Sequence, residues 1–240
     1  MTKEPKSAAV ASTDPRGKIV DALMALASER RFEEITLRDI CAAAKVSLAD
    51  FRDAFPSKGA VLAGFARRID RAVLSTEDEE ISREAARERL FDVLMRRLDA
   101  LAPYREGLRE ITAWLRRDPV AALAMNQSIV NSMRFMLEAA GIDSQGVAGA
   151  IKLQGLALAW MRIVAVWLED SEPELSKTMA ELDRELTRGE RAVAGVDRLD
   201  RFAAPFKAIA LAAFEQRKRA RDAFRRRARQ TEERRDADAF

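Results

Sequence analysis

Apolar residues recur three and four positions apart along almost the whole chain, in segments closed by Pro103, Asp118-Pro119, Gly141 and Glu172-Pro173. That spacing puts them on one face of an α-helix, and no run alternates with the period of two that a half-buried strand needs. An all-α fold of about ten helices is expected. Asp14-Pro15 opens the first, with Ile19, Ala22, Leu23, Leu26 and Ala27 on its apolar face. After a break at 30–35, a short helix starts at Thr36 and buries Leu37, Ile40, Cys41 and Ala44. A third helix follows the turn Lys45-Val46-Ser47 and ends before Pro56, and Ser57 caps a long helix reaching about Thr76. Further helices are expected near 81–101, 104–117, 119–140, 144–169, 174–195 and 199–229.

Composition narrows the chemistry. The 240 residues contain no His and one Cys, which excludes His-based triads, His-ligated metals, intrachain disulfides and Cys-cluster metal sites. Carboxylates gather only in charge runs such as Glu77-Asp78-Glu79-Glu80, and there is no Gly-rich phosphate loop or nucleophile elbow. No enzyme, cofactor or metal site is expected. A lone Cys fits a reducing cytoplasm, and the polar start Met-Thr-Lys-Glu-Pro-Lys-Ser lacks the apolar segment of a secretory signal. Cys41 lies on a buried stripe and reads as a small core residue rather than a reactive thiol. The most apolar stretch, 153–168, is shorter than the ~20 residues of a spanning helix and contains Gln154 and Arg162, so a buried helix of a soluble protein is expected.

Residues 36–58 carry the most information. Two short helices, each with a hydroxyl residue at its start (Thr36 and Ser47) and joined by a tight turn, describe a helix-turn-helix. Leu48, Phe51 and Phe55 form the expected buried stripe of its second helix, leaving Ala49, Asp50, Arg52 and Asp53 outward. In this motif the second helix enters the major groove of DNA. The segment resembles the tetracycline-repressor (TetR) family of bacterial regulators, with Thr36, Asp39-Ile40, Val46-Ser47 and Phe55-Pro56-Ser57-Lys58 in register over about residues 16–65. The resemblance implies that Thr36, Arg38, Ser47, Arg52 and Lys58 meet DNA, mostly at phosphates, and that Leu48, Ala49 and Asp50 read bases. Lys45 replaces the family's turn Gly, Arg52 its usual Tyr and Ala54 its frequent polar residue. With eight basic and seven acidic side chains over residues 16–64, the head has little net attraction for phosphates. A helix-turn-helix retained only as structure is the competing reading.

The helix expected at 144–169 is apolar nearly all round, which requires burial in a core or across a dimer interface. Trp160 and Trp167 lie seven apart on one face of it and, with Leu182, are the expected interface anchors. Trp114, Met133, Gln154 and Arg162 are the candidates for an effector pocket, with a core carboxylate as the alternative partner of Arg162. A second resemblance, to the TetR-fold lipid-binding proteins of coenzyme-Q biosynthesis, rests on Trp167-Leu168-Glu169-Asp170, Thr178 and Leu182-Asp183-Arg184. It implies an accessory protein that holds an isoprenoid lipid and has abandoned DNA.

The formal net charge is +3, yet residues 216–240 carry ten Lys/Arg and five Asp/Glu, so the rest of the chain is at −2. An apolar stripe (Phe202, Phe206, Ile209) running into that basic segment could meet an anionic membrane, DNA phosphates or only solvent. The expected organisation is a disordered arm at 1–14, a DNA-binding head at 15–65, an effector-binding and dimerisation domain at 66–195 and an amphipathic basic extension at 196–240. The expected protein is a cytoplasmic homodimeric repressor, released from a double-stranded operator by a small apolar or lipid-like effector.

Overall fold

The computed structural model describes residues 14–75 and 84–193, and every regular element among them is helical. The elements are α1 (Pro15–Glu29), α2 (Leu37–Ala44), α3 (Leu48–Ala54), α4 (Lys58–Leu74), α5 (Ala86–Leu101), α6 (Arg105–Arg117), α7 (Pro119–Ala139) and α8 (Gly146–Glu169). A further helical run, α9, covers 176–193. Expectations for the N-terminal arm up to residue 13, and for the helix at 199–229 with its basic extension, lie outside the described residues.

α1 is the hub of the N-terminal part. Its stripe of Ile19, Leu23, Leu26 and Ala27 is buried as expected, and it packs against α2, α3, α4 and α6. Gly107 lets α6 approach closely, because a Cβ there would stand 2.9 Å from the Met24 carbonyl oxygen. α4 runs unbroken from the head into the body, where it packs on α5 and α7. The expected division at 65/66 therefore falls inside one continuous helix. The described residues up to Glu190 belong to one compact unit.

α8 packs on α7 and α6. Its segment Ala148–Glu169 is, by length and composition, long enough to cross a bilayer, and longer than the stretch read from sequence. Its Leu153, Leu156, Trp160, Ile163 and Trp167 are nonetheless buried against the rest of the chain. Ile151 and Leu158 are about half exposed, so α8 is not buried all round. It shows one apolar face to the core and a second to the surface.

Candidate nucleic-acid interface

The helix-turn-helix is built from two copies of one local device. The Thr36 backbone N–H and hydroxyl donate to Asp39 Oδ2 at 2.8 and 2.7 Å, while Thr36 Oγ1 accepts from the Asp39 N–H at 3.1 Å. Ser47 and Asp50 repeat the pattern, with the Ser47 N–H and hydroxyl donating to Asp50 Oδ2 at 2.9 and 2.7 Å and Ser47 Oγ accepting from the Asp50 N–H at 3.0 Å. Each is a capping box that satisfies otherwise orphaned backbone donors. These hydrogen bonds hold both carboxyls below the ordinary Asp value, through the Thr36 backbone N–H first for Asp39 and the Ser47 hydroxyl first for Asp50. Asp50 thus belongs to the cap of α3, and one of its oxygens is already occupied before any base approaches. The Ser/Thr-x-x-Asp spacing was the signal for this.

Between the helices Lys45 adopts the left-handed conformation at φ 55°, ψ 46°, which costs a non-Gly residue ~1–2 kcal/mol. Phe51 and Phe55 are buried as expected, whereas Leu48 is 54% exposed and Leu37 is also exposed. The expected burial of those two leucines is corrected: each is the first residue of its helix, about one turn ahead of the first buried residue, Ile40 in α2 and Phe51 in α3. Leu48 therefore stands with Ala49 and Arg52 on the open side of α3. Cys41 is buried, its thiol pushed upward chiefly by desolvation, which is a core residue's environment.

Lys58 does not reach outward as a phosphate contact would. Its ammonium donates to the Phe32 and Ile35 carbonyls at 2.6 and 2.9 Å and lies 4.3 Å from the Phe32 ring centroid. Burial pushes its pKa below the usual lysine value, with Glu33 opposing. The reason is tertiary: the chain turns at 30–35 and brings two carbonyls within reach of the first residue of α4. Lys58→Ala is expected to lower stability by about 1–3 kcal/mol, since buried acceptors lose their donor, without altering the salt dependence of DNA binding. A flatter salt slope in that variant would return Lys58 to the DNA surface.

The near-neutral charge count of the head conceals a sorting. Asp39 and Asp50 serve the caps, Glu33 and Glu34 pair with Arg31 or Arg117, and Asp21 pairs with Arg68. Arg16, Lys18, Arg38, Lys45 and Arg52 are exposed and have no carboxylate partner among the described residues. Against them stand only Glu29 and Asp53 among the head's acids. Five of the head's eight cations are therefore exposed and free of ion pairs among the described residues, while the capping Asp39 and Asp50 keep their negative charge.

The other candidates scatter. Trp114 packs on Phe32 with ring centroids 4.4 Å apart, at the junction of head and body. Met133 is fully buried in the core. Gln154 is exposed and hydrogen-bonds Asn126 at 3.3 Å. Arg162 is exposed and pairs with the buried Glu185 at 3.0 Å, the carboxylate-partner alternative. Of these four, Met133 lies in the core while Gln154 and Arg162 lie on the surface. Trp160, Trp167 and Leu182 are likewise corrected as interface anchors, because all three are buried within the single chain. The Trp pair does share a face of α8, but it is the inner one: the Arg97 guanidinium lies over Trp160 and that of Arg105 over Trp167, at 5.3 and 5.0 Å.

The residues behind the coenzyme-Q resemblance build the corner between α8 and α9. Asp170 accepts from the Thr178 N–H and hydroxyl at 2.9 and 2.7 Å. Arg105 donates to the Trp167 and Asp170 carbonyls, and Arg109 to that of Leu168 at 2.7 Å. Cations at the carboxyl end of a helix satisfy its orphan carbonyls and complement its dipole. This part of the signature is accounted for by helix capping alone.

No known family profile matches the sequence, and no characterised protein is similar to it by sequence. Solved structures do share its fold. A TetR transcriptional regulator from Nitrosomonas europaea ATCC 19718 superimposes with a TM-score of 0.59 at 24% identity, covering 74% of this chain and 98% of that one. A TetR transcriptional regulator from Rhodococcus sp. RHA1 does so with a TM-score of 0.53 at 19% identity, over 73% and 95% of the two chains. At these identities the likeness is one of fold, and the chain has the TetR-type regulator fold.

Proposed function

We propose that this protein is a DNA-binding transcriptional regulator that places α3 in the major groove. The observation that carries the reading is the exposed side of α3, where Leu48, Ala49 and Arg52 are presented by a doubly capped helix-turn-helix among cations that no carboxylate pairs with. Thr36, Arg38 and Ser47 flank that side and suit phosphate contacts, which set register while base edges supply sequence. Repression in the cytoplasm, with release by a small apolar or amphipathic molecule held in the body, belongs to the same reading. The adaptable Met133 and Met136 side chains in the body's interior favour such a ligand. The test is binding to the DNA upstream of the protein's own gene, against random DNA, over a range of salt. Preferential binding with a steep salt slope, reduced by about one unit in Arg52→Ala, is expected. Equal affinity for random DNA at low salt would overturn the proposal.

A two-fold operator calls for a two-fold protein. The surface suited to a second copy is the outer apolar face of α8, at Ile151 and Leu158, beside the exposed Val120 and Leu123 of α7. Sedimentation at micromolar concentration should give about twice the 26.8 kDa chain mass, and Leu158→Glu should return the monomer. A wild-type monomer would remove the dimer from the scheme.

A further inference from the structure

We infer that Arg16 is a DNA-phosphate contact of the head and that Phe55 holds it in position; the inference rests on the DNA-binding reading above. With Lys58 turned onto backbone carbonyls, Arg30 paired with Asp39 at 3.8 Å and Arg31 paired with Glu33 at 3.5 Å, three cations of the head are already committed. Among the exposed cations left, Arg16 alone has an aromatic platform among the described residues: its guanidinium carbon lies 4.5 Å from the Phe55 ring centroid.

That platform is rigid. Phe55 is the C-cap of α3, its N–H donates to the Phe51 carbonyl at 2.7 Å, and it is buried. Its ring lies so close to α4 that a Cβ on Gly64 would come within 2.7 Å of it. A guanidinium held over a ring makes no hydrogen bond to it, so its N–H donors stay free for a planar or tetrahedral anion. An exposed Arg normally gives up rotamer freedom to grip a phosphate; here part of that ordering is already made by the ring.

Position argues for backbone rather than base. Arg16 is on the first turn of α1 and crosses to the α3–α4 turn, at the opposite end of α3 from Leu48 and Ala49. A cation there lies beside the groove-reading turn rather than on it, and would neutralise one phosphate irrespective of sequence.

The experiment compares full-length wild type, Arg16→Ala, Arg16→Lys and Lys18→Ala on the preferred DNA and on random DNA across salt. Lys18 is the control: it is exposed on the same turn of α1, but two residues on and hence on a different face. Arg16→Ala should flatten the salt slope by about one unit and weaken both DNAs by the same factor. Arg16→Lys should keep the slope while losing part of the affinity, and Lys18→Ala, which removes a head charge that has no aromatic platform, should flatten the slope by clearly less than Arg16→Ala. An unchanged slope in Arg16→Ala overturns the inference and leaves the functional reading standing. Equal losses in Arg16→Ala and Lys18→Ala overturn it too, since net charge would then explain both. A wild type that binds no DNA overturns the functional reading together with this inference.

Discussion

Arg97→Met is expected to cost about 3–5 kcal/mol of stability, a drop in melting temperature of roughly 6–20 °C for a unit of this size. Arg97 on α5 donates to Asp70 on α4, both of them buried, and Ser132 on α7 donates to the other Asp70 oxygen at 2.7 Å. The Arg97 guanidinium also lies over the Trp160 ring of α8. Three helices therefore meet at one carboxylate, with α8 against its cation, and removing that cation leaves the carboxylate with only a hydroxyl for company. Desolvation of both ions offsets much of the pair's attraction, so the cost comes from stranding one partner. The double variant Asp70→Asn with Arg97→Met should accordingly recover most of the loss, because no charge stays buried and the Ser132 bond survives. Thermal unfolding of the three proteins checks this. A single Arg97→Met variant that melts within about 2 °C of wild type would show that the node carries little.

Phe32→Ala should be comparably damaging, about 3–5 kcal/mol by the usual cost of emptying a buried aromatic site. Phe32 is fully buried at the junction of the head and the body. Its ring takes Trp114 of α6 on one side and the Lys58 ammonium nearby, and its N–H donates to Glu110 Oε1 at 3.3 Å. Beside it, Arg117 of α6 pairs with Glu33 at 2.9 Å. If this joint makes head and body one cooperative unit, helix content and tryptophan fluorescence should melt together in wild type. In Phe32→Ala both should move down together or separate, with the head going first. A variant whose head stays as stable as before would mean that α4 alone joins the two parts.

Acid should act on the head through its caps. The carboxyls of Asp39 and Asp50 sit below the ordinary Asp value in the folded chain. Their contribution is complete above the unfolded value and is lost as pH falls through the lower folded one. Loss of helix at α2 and α3 is therefore expected below the ordinary carboxylate range rather than near neutrality.

What was legible in the sequence was whatever is decided within a turn or two of helix. The 3.6-residue period, the breakers at Pro103, Pro119 and Gly141, and the caps at Thr36 and Ser47 all follow from contacts between near neighbours, and the structure has them where they were expected. The same holds for Phe51, Phe55 and Cys41, whose burial follows from the stripe they share with their own helices. Asp39 and Asp50 belong here too, since a capping box spans four residues and needed only to be read.

Tertiary structure alone decided which way a face points and what waits for a long side chain. The period put Trp160 and Trp167 on one face of α8, but whether that face meets the core or a second copy depends on α5 and α6, some sixty residues away, whose Arg97 and Arg105 cover the two rings. Lys58 turned inward because carbonyls of residues 32 and 35 lie within reach of it, and Arg162 found Glu185 across a helix corner. Periodicity is a property of one helix; the direction of a charge is a property of its neighbours, and those are assembled only when the chain folds.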